Sequence, residues 1–294
     1  MERAVYLMTL DRREKLKTIF ENTMQVIRND SALSAATEKG MAATRLYEDG
    51  YLPALPLSPE QKAGIAVTKA RTLEAAMRIR KKHPDWRVCA LNFASATNPG
   101  GGVKQGSSAQ EECLCRCTNL YPMLSQKRMW DGYYNKNRSA RNPLHSDACI
   151  YSPQVTVLKT DEDYPRLMDE KDWEKVDIIS CAAPNLRPVP GSSFNPEAGK
   201  TPAITPQELY DLHLFRAKTI MGIAVENGAD ALVLGAFGCG AFMNDPAVVA
   251  EAWRDAVQDM GDYFEYLEFA VFCKPHETMN YDVFRATITP SVKR

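Results

Sequence analysis

The sequence predicts a three-layer α/β fold, with helices on both faces of a central sheet and a helical region before it. Two observations carry this. Four short, nearly continuous apolar runs, Trp86–Phe93, Val176–Ala183, Ala231–Ala236 and Glu268–Cys273, have the character of strands buried on both faces. Between them lie segments with apolar residues at helical spacing, so strands and helices alternate as in a layered α/β domain.

In chain order, Arg12–Arg28 places Leu16, Ile19, Phe20, Met24 and Ile27 three or four residues apart, which predicts a helix. The stretch Tyr51–Pro59 carries three prolines and disfavours regular structure. We therefore expect an N-terminal helical region over residues 1–60, packing on a main domain over 61–294. Further helices are expected over Ala70–Lys82, Gln110–Leu124, Pro206–Asn227 and Pro246–Met260, with Gly228 capping the third. No internal repeat or low-complexity tract interrupts this order.

At 294 residues the chain is long enough to bury a core without disulfide or metal staples. Its 36 basic and 37 acidic residues leave a formal charge of -1, so no global field draws it to nucleic acid or an anionic membrane. Neither a membrane nor sequence-specific nucleic-acid binding is expected, and an anionic ligand must be held by local geometry. The N-terminus lacks the apolar run and cleavage site of a signal peptide, and no window has the apolar length of a membrane span. A cytoplasmic protein is expected. The eight cysteines are scattered, several inside apolar runs such as Val88-Cys89-Ala90, as reduced core thiols are.

Ligands of open α/β sheets bind beyond the carboxyl ends of the strands, which directs attention to the loops that follow the four runs. One holds Asn98-Pro-Gly-Gly-Gly102, another Pro184-Asn185, and a third Phe237-Gly-Cys-Gly-Ala-Phe-Met-Asn244. Glycine lets backbone N–H groups approach a ligand closely and form concave nests for phosphate oxygens. Two such loops can grip a diphosphate from both sides; the alternative is that each is a tight turn. The spacing of neither a dinucleotide fingerprint nor a P-loop is present.

Gln110-Glu111-Glu112 follows the first glycine loop. Ser108-Ala-Gln-Glu111 matches a capping box, with Ser at the N-cap and Glu at N3. Glu112 has no such role, although a first helical turn also favours a negative charge on the surface. Neighbours on a helix point about 100° apart, which does not suit a pair of carboxylates on opposite faces of a sugar. A division of labour follows, with Glu111 orienting a ribose hydroxyl and Glu112 protonating a leaving oxygen. The helix N-terminus lowers the acid's pKa, whereas burial and a nearby diphosphate raise it.

These residues resemble the microbial-type poly(ADP-ribose) glycohydrolases, a divergent branch of the macrodomain fold. The likeness rests on Asn98-Pro-Gly-Gly-Gly102, seven residues, then Gln110-Glu111-Glu112, followed by Leu114-Cys115-Arg116 and Leu120-Tyr121-Pro122, and later on Gly235-Ala-Phe-Gly-Cys-Gly-Ala-Phe242. It implies a macrodomain-like fold with a mixed central sheet. It also implies that Glu112 is the catalytic acid/base and that Glu111, with Gln110 beside it, binds at the ribose next to the scissile bond. Gly100, Gly101 and Gly102 would hold the diphosphate on one side and Gly238, Cys239, Gly240 and Ala241 on the other. Phe242 would pack against the terminal ribose, with Asn98 close by. No metal and no cofactor are implied.

Cys113, Cys115 and Cys117 cannot converge on one zinc ion, because positions i and i+2 of a helix face nearly opposite ways. They are expected to be core thiols, and Cys239 a small loop residue. Tyr133, Tyr134 and Tyr151 are read as core, leaving the adenine pocket unassigned. The resulting expectation is a hydrolase that splits the ribose–ribose O-glycosidic bond of poly(ADP-ribose), including polymer attached to protein, and releases ADP-ribose. Two alternatives stand beside it: release of single ADP-ribosyl groups from protein, nucleic acid or a metabolite, and a module that binds ADP-ribose without cleaving it. Two adjacent glutamates speak against the last, since a reader needs no acid.

Overall fold

The computed structural model describes residues 2–57, 62–188 and 199–289, with side chains from residue 11 onward. Its N-terminal part holds α1 (Glu2–Asn29), α2 (Ser31–Ala43) and a short strand, β1 (Arg45–Tyr47). Then come β2 (Gly64–Thr68), α3 (Thr72–Lys82), β3 (Val88–Phe93), α4 (Gln110–Cys117), α5 (Leu120–Leu124), α6 (Lys127–Met129), α7 (Asn135–Ala140) and β4 (Cys149–Val157). The chain continues with β5 (Glu174–Cys181), α8 (Pro206–Glu226), β6 (Ala231–Leu234), α9 (Pro246–Met260), β7 (Tyr266–Ala270) and α10 (Met279–Ile288).

The strands form one mixed sheet in the order β1-β4-β5-β3-β6-β7-β2. Only the β1–β4 and β4–β5 pairs are antiparallel; β2, β3, β5, β6 and β7 run parallel. Successive side chains of a strand point to opposite faces, and β3 shows the result. Val88 and Ala90 belong to the core under α3, α4 and α5, whereas Cys89 and Leu91 belong to the core under α8, α9 and α10. The three expected layers are therefore present, and the sheet is mixed as expected. The third long helix ends at Glu226, with Gly228 in the left-handed region at φ +72°.

Differences from the sequence reading have physical reasons. The expected helix over 110–124 is two helices. Thr118 is extended and bridges to Val157, and a continuous helix would drive the ring of Pro122 against the carbonyl of Thr118. The N-terminal region is not wholly helical, because β1 joins the sheet edge beside β4. Strand β4 carries Pro153, which argues against a strand by pattern; a register irregularity between Ser152 and Val155 accommodates it, with Gln154 at φ +54°. The expected boundary at residues 60 and 61 lies outside the described residues. On its near side, Lys159 Nζ donates to the Ile19 carbonyl at 2.8 Å and Thr23 Oγ1 donates to that of Arg116 at 2.5 Å, joining α1 to the core.

Candidate active site

The carboxyl ends of β3, β5, β6 and β7 open on a cavity of about 1080 Å3. The size suits a nucleotide ligand. Asn98, Gly101, Gly102, Gln110, Glu111, Glu112, Gly238, Gly240, Ala241 and Phe242 all line it. Gly100 and Cys239 do not. Gly100 is packed beneath the loop against Tyr121, Val103 and Cys115, and the thiol of Cys239 turns back to the carbonyl of Phe237 at 3.7 Å.

Helix α4 starts one residue later than a capping box at Ser108 requires. Its N-cap is Ala109, which has no side chain to cap with. The first-turn carboxylates serve instead as acceptors for the loop after β3. Glu111 Oε2 accepts from the Ser95 N–H at 2.7 Å; its Oε1 accepts from the Gly100 N–H at 3.2 Å and from Asn92 Nδ2 at 3.4 Å. Glu112 Oε1 accepts from the Gly102 N–H at 2.8 Å. The second oxygen of Glu112 is buried and has no partner among the described residues.

Burial pushes the Glu111 carboxyl up to about 8. The Ser95 N–H pulls the other way, and the charge of Glu112 adds to the rise. Desolvation disfavours the ionised form of any buried acid, so Glu111 holds its proton at neutral pH. Gln110 spends its amide on the adjoining strand: Oε1 accepts from the Phe93 N–H at 2.9 Å, and Nε2 donates to the Leu91 carbonyl at 2.8 Å. It thereby fixes the start of α4 to the end of β3.

The two glycine loops differ in what their N–H groups do. In the first, the N–H of Gly101 donates to the Asn98 carbonyl, and those of Gly100 and Gly102 go to the glutamates. In the second, the N–H groups of Gly240 and Ala241 have no acceptor among the described residues. That loop is held from below by Asn244, whose Nδ2 donates to the carbonyls of Pro184, Gly238 and Phe242 at 2.7, 3.1 and 3.3 Å. His213 Nε2 in turn meets Asn244 Oδ1 at 2.8 Å. Burial lowers His213 to about 4, so the ring is neutral and donates from Nε2.

Phe242 lines the cavity, with the Arg187 guanidinium 5.3 Å from its ring centre and His145 6.0 Å away. His145 has φ +60°. Its loop is held by the buried Arg216, which pairs with Asp147 at 2.6 Å and donates to the carbonyls of Ala182, Leu144 and His145. Phe272 and Asn280 also line the cavity, with the Arg71 guanidinium 4.0 Å from the Phe272 ring centre.

Sequence reasoning missed Asn92, Ser95, His145, Arg187, His213, Arg216, Asn244 and Phe272. Asn244 closes the second glycine loop, and Asn92 and Ser95 lie on either side of the strand end that precedes the first. Their positions were open to inspection, but their partners were not. Cys115 and Cys117 are buried and Cys113 is partly so, 3.5 Å from Arg116 Nη2. Tyr133, Tyr134 and Tyr151 are buried in the core. Among the described residues no three His, Cys, Asp or Glu side chains are grouped to hold a metal, and no helix is long and apolar enough to cross a membrane.

Residues 13–160 match the family described as microbial-type PARG, catalytic domain. Among solved structures, the poly(ADP-ribose) glycohydrolase (PARG) of Thermomonospora curvata is 29% identical with a TM-score of 0.78, over 93% of this chain and 99% of that one. Its structure bound to the inhibitor ADP-HPD is 30% identical with a TM-score of 0.76, over the same shares, 93% and 99%. The enzyme of Deinococcus radiodurans in complex with ADP-ribose is 32% identical with a TM-score of 0.71, over 86% of this chain and 97% of that one. No curated protein matches the chain.

Proposed function

The chain belongs to the microbial-type poly(ADP-ribose) glycohydrolase family and acts on ADP-ribose polymers, and from that premise we propose that Glu112 is the acid that splits the ribose–ribose bond. One observation carries the assignment. Glu112 lines the cavity with one oxygen tied to the Gly102 N–H and the other buried without a partner. A buried polar atom left unpaired costs stability, and a ligand oxygen at that point satisfies it.

The reaction then runs as general acid–base catalysis. Protonated Glu112 gives its proton from Oε2 to the oxygen that bridges two riboses. The bond from that oxygen to the anomeric carbon breaks, and its electron pair stays on the oxygen. Positive charge develops on the anomeric carbon and the ring oxygen, where the ligand's own diphosphate steadies it. Water adds to the carbon and passes a proton back to the Glu112 carboxylate. The products are ADP-ribose and a polymer one unit shorter.

The remaining residues bind. Glu111 Oε1, whose N–H contacts are long, takes a hydroxyl of the terminal ribose. The diphosphate lies between the loops, on the free N–H groups of Gly240 and Ala241 and within the Gly238–Phe242 turn that Cys239 backs, facing Gly101 and Gly102 with Gly100 beneath them. Phe242 packs on the terminal ribose and Asn98 stands beside it, while Gln110 holds α4 in register. Adenine lies against Phe272, an aromatic face on which a base can stack. All eight cysteines are free thiols, which fits the expected cytoplasmic setting. Polymer carried on protein is the substrate we expect there.

The test is Glu112→Gln. Release of ADP-ribose from polymer falls about 10²–10⁴-fold, while ADP-ribose binding by calorimetry is kept. Undiminished turnover would remove Glu112 from the mechanism. Single ADP-ribosyl groups on protein form a second arm of the assay, and cleavage of those alone would move the substrate class.

A further inference from the structure

Outside the cavity mouth, on the Asn98 side, one cation and one aromatic ring are locked together. Arg138 is exposed, yet it is held in place on two sides. Its Nε donates to the Thr97 carbonyl at 2.7 Å and its Nη2 to Asn98 Oδ1 at 2.6 Å. Its guanidinium carbon stands 4.8 Å from the centre of the Trp130 ring. Trp130 lines the same cavity as Glu112 and is backed by Tyr134, 5.4 Å away. The segment Trp130–Tyr134 is a π-helical turn, a rare geometry that recurs at functional sites. Among the described residues no carboxylate pairs with Arg138, and its Nη1 has no partner.

A planar guanidinium stacks on a nucleobase and carries the charge that draws a diphosphate. Stacking needs a plane whose orientation is already fixed, and two hydrogen bonds with an indole behind them fix this one. Of all ligand parts, the unit across the scissile bond lies nearest. In the pose proposed above Asn98 stands beside the terminal ribose, and Asn98 is the residue that Arg138 touches.

We propose that Arg138, backed by Trp130, is a leaving-group subsite that holds the adenosine diphosphate unit adjoining the bond to be cut. The adenine of that unit stacks on the outer face of the guanidinium, and a phosphate oxygen takes the free Nη1. The inference rests on Glu112 being the acid beside the terminal ribose. It assigns to the enzyme a preference for polymer over conjugates that lack a second nucleotide.

Two substrates separate the subsite from the catalytic centre: the ADP-ribose dimer, and ADP-ribose carrying a nitrophenyl group at the anomeric carbon. Both place the same ribose on Glu112, but only the dimer has a unit for Arg138. In Arg138→Ala the ratio of kcat/KM for dimer to that for the nitrophenyl conjugate falls about tenfold. Any loss through a displaced Asn98 affects both substrates and cancels in the ratio. Arg138→Lys keeps the charge without the plane, and its ratio also falls. A wild-type ratio in both variants overturns the subsite while leaving Glu112 in place. Failure of the wild-type protein to cleave either substrate would overturn the subsite together with the reading beneath it.

Discussion

Gly101 and Glu112 are in direct apposition across the first glycine loop: a Cβ built on Gly101 would stand 2.5 Å from Glu112 Oε1 and 3.1 Å from Glu111 Oε2. The two carboxylates, though adjacent on a helix, converge over this single residue. Gly101 also has φ +56°, where a side chain is strained. The loop's glycines thus let backbone reach the carboxylates.

Gly101→Ala tests this. The added methyl pushes Glu112 off its position, and a displacement of about 1 Å in a catalytic group costs on the order of 10²-fold in rate. We expect kcat on polymer to fall by that order, with thermal stability lower by about 1–2 kcal/mol from the positive φ alone. A crystal structure of the variant with Glu112 unmoved, together with normal kcat, would contradict the account.

The proton on Glu111 makes stability depend on pH. Its folded value, about 8, lies above the ordinary 4.5, so the native state binds this proton more tightly than the unfolded chain does. Both states are protonated at low pH. As pH rises from 4.5 towards 8 the unfolded chain alone releases the proton, and stability falls by about 1.4 kcal/mol per pH unit from this group. Urea midpoints measured between pH 5 and 8 should decline in the wild type and flatten in Glu111→Gln, which has no proton to lose. Parallel curves would remove Glu111 as the source.

Asn244 supports the loop in which the N–H groups of Gly240 and Ala241 have no acceptor among the described residues. Replacing it with Ala strands the carbonyls of Pro184, Gly238 and Phe242 and leaves the Nε2–H of the neutral His213 without its acceptor. We expect about 1–3 kcal/mol lower stability and about tenfold weaker ADP-ribose binding by calorimetry, with the kcat on saturating polymer less affected. Equal losses in kcat and affinity would show that the loop takes part in the chemical step.

Arg216 is a buried charge surrounded by one carboxylate and three carbonyls. Arg216→Met leaves these acceptors unpaired, and breaking a buried pair in this way costs about 3–5 kcal/mol. The loop carrying His145 loses its anchor, so KM for polymer should rise alongside the lower urea midpoint. An unchanged midpoint would mean that Asp147, 22% exposed, is satisfied by water.

Much of this protein was already set by local sequence. Apolar runs and helical spacing determined four of the strands and the long helices, because those periods express which side of an element is buried. The interval between Asn98-Pro-Gly-Gly-Gly102 and Gln110-Glu111-Glu112 pointed to the family, which the match over residues 13–160 shows. What only the tertiary structure decided is how polar groups are shared out. A capping box at Ser108 is a local possibility, but Ser95, Asn92 and Gly100 offer Glu111 better donors from strand and loop, so the helix begins without it. Gln110 is likewise taken by β3. The loops look alike in sequence, yet the first gives the N–H groups of Gly100 and Gly102 to carboxylates, while in the second those of Gly240 and Ala241 have no acceptor among the described residues. Arg216, His213, Asn244 and Arg138 carry no motif at all, because each has partners far off in the chain, 31 to 72 residues away for the first three and 40 or 41 for the last. Hydrogen bonds and buried charges are satisfied by whatever the fold brings within about 3 Å, and that proximity exists only once the sheet has formed.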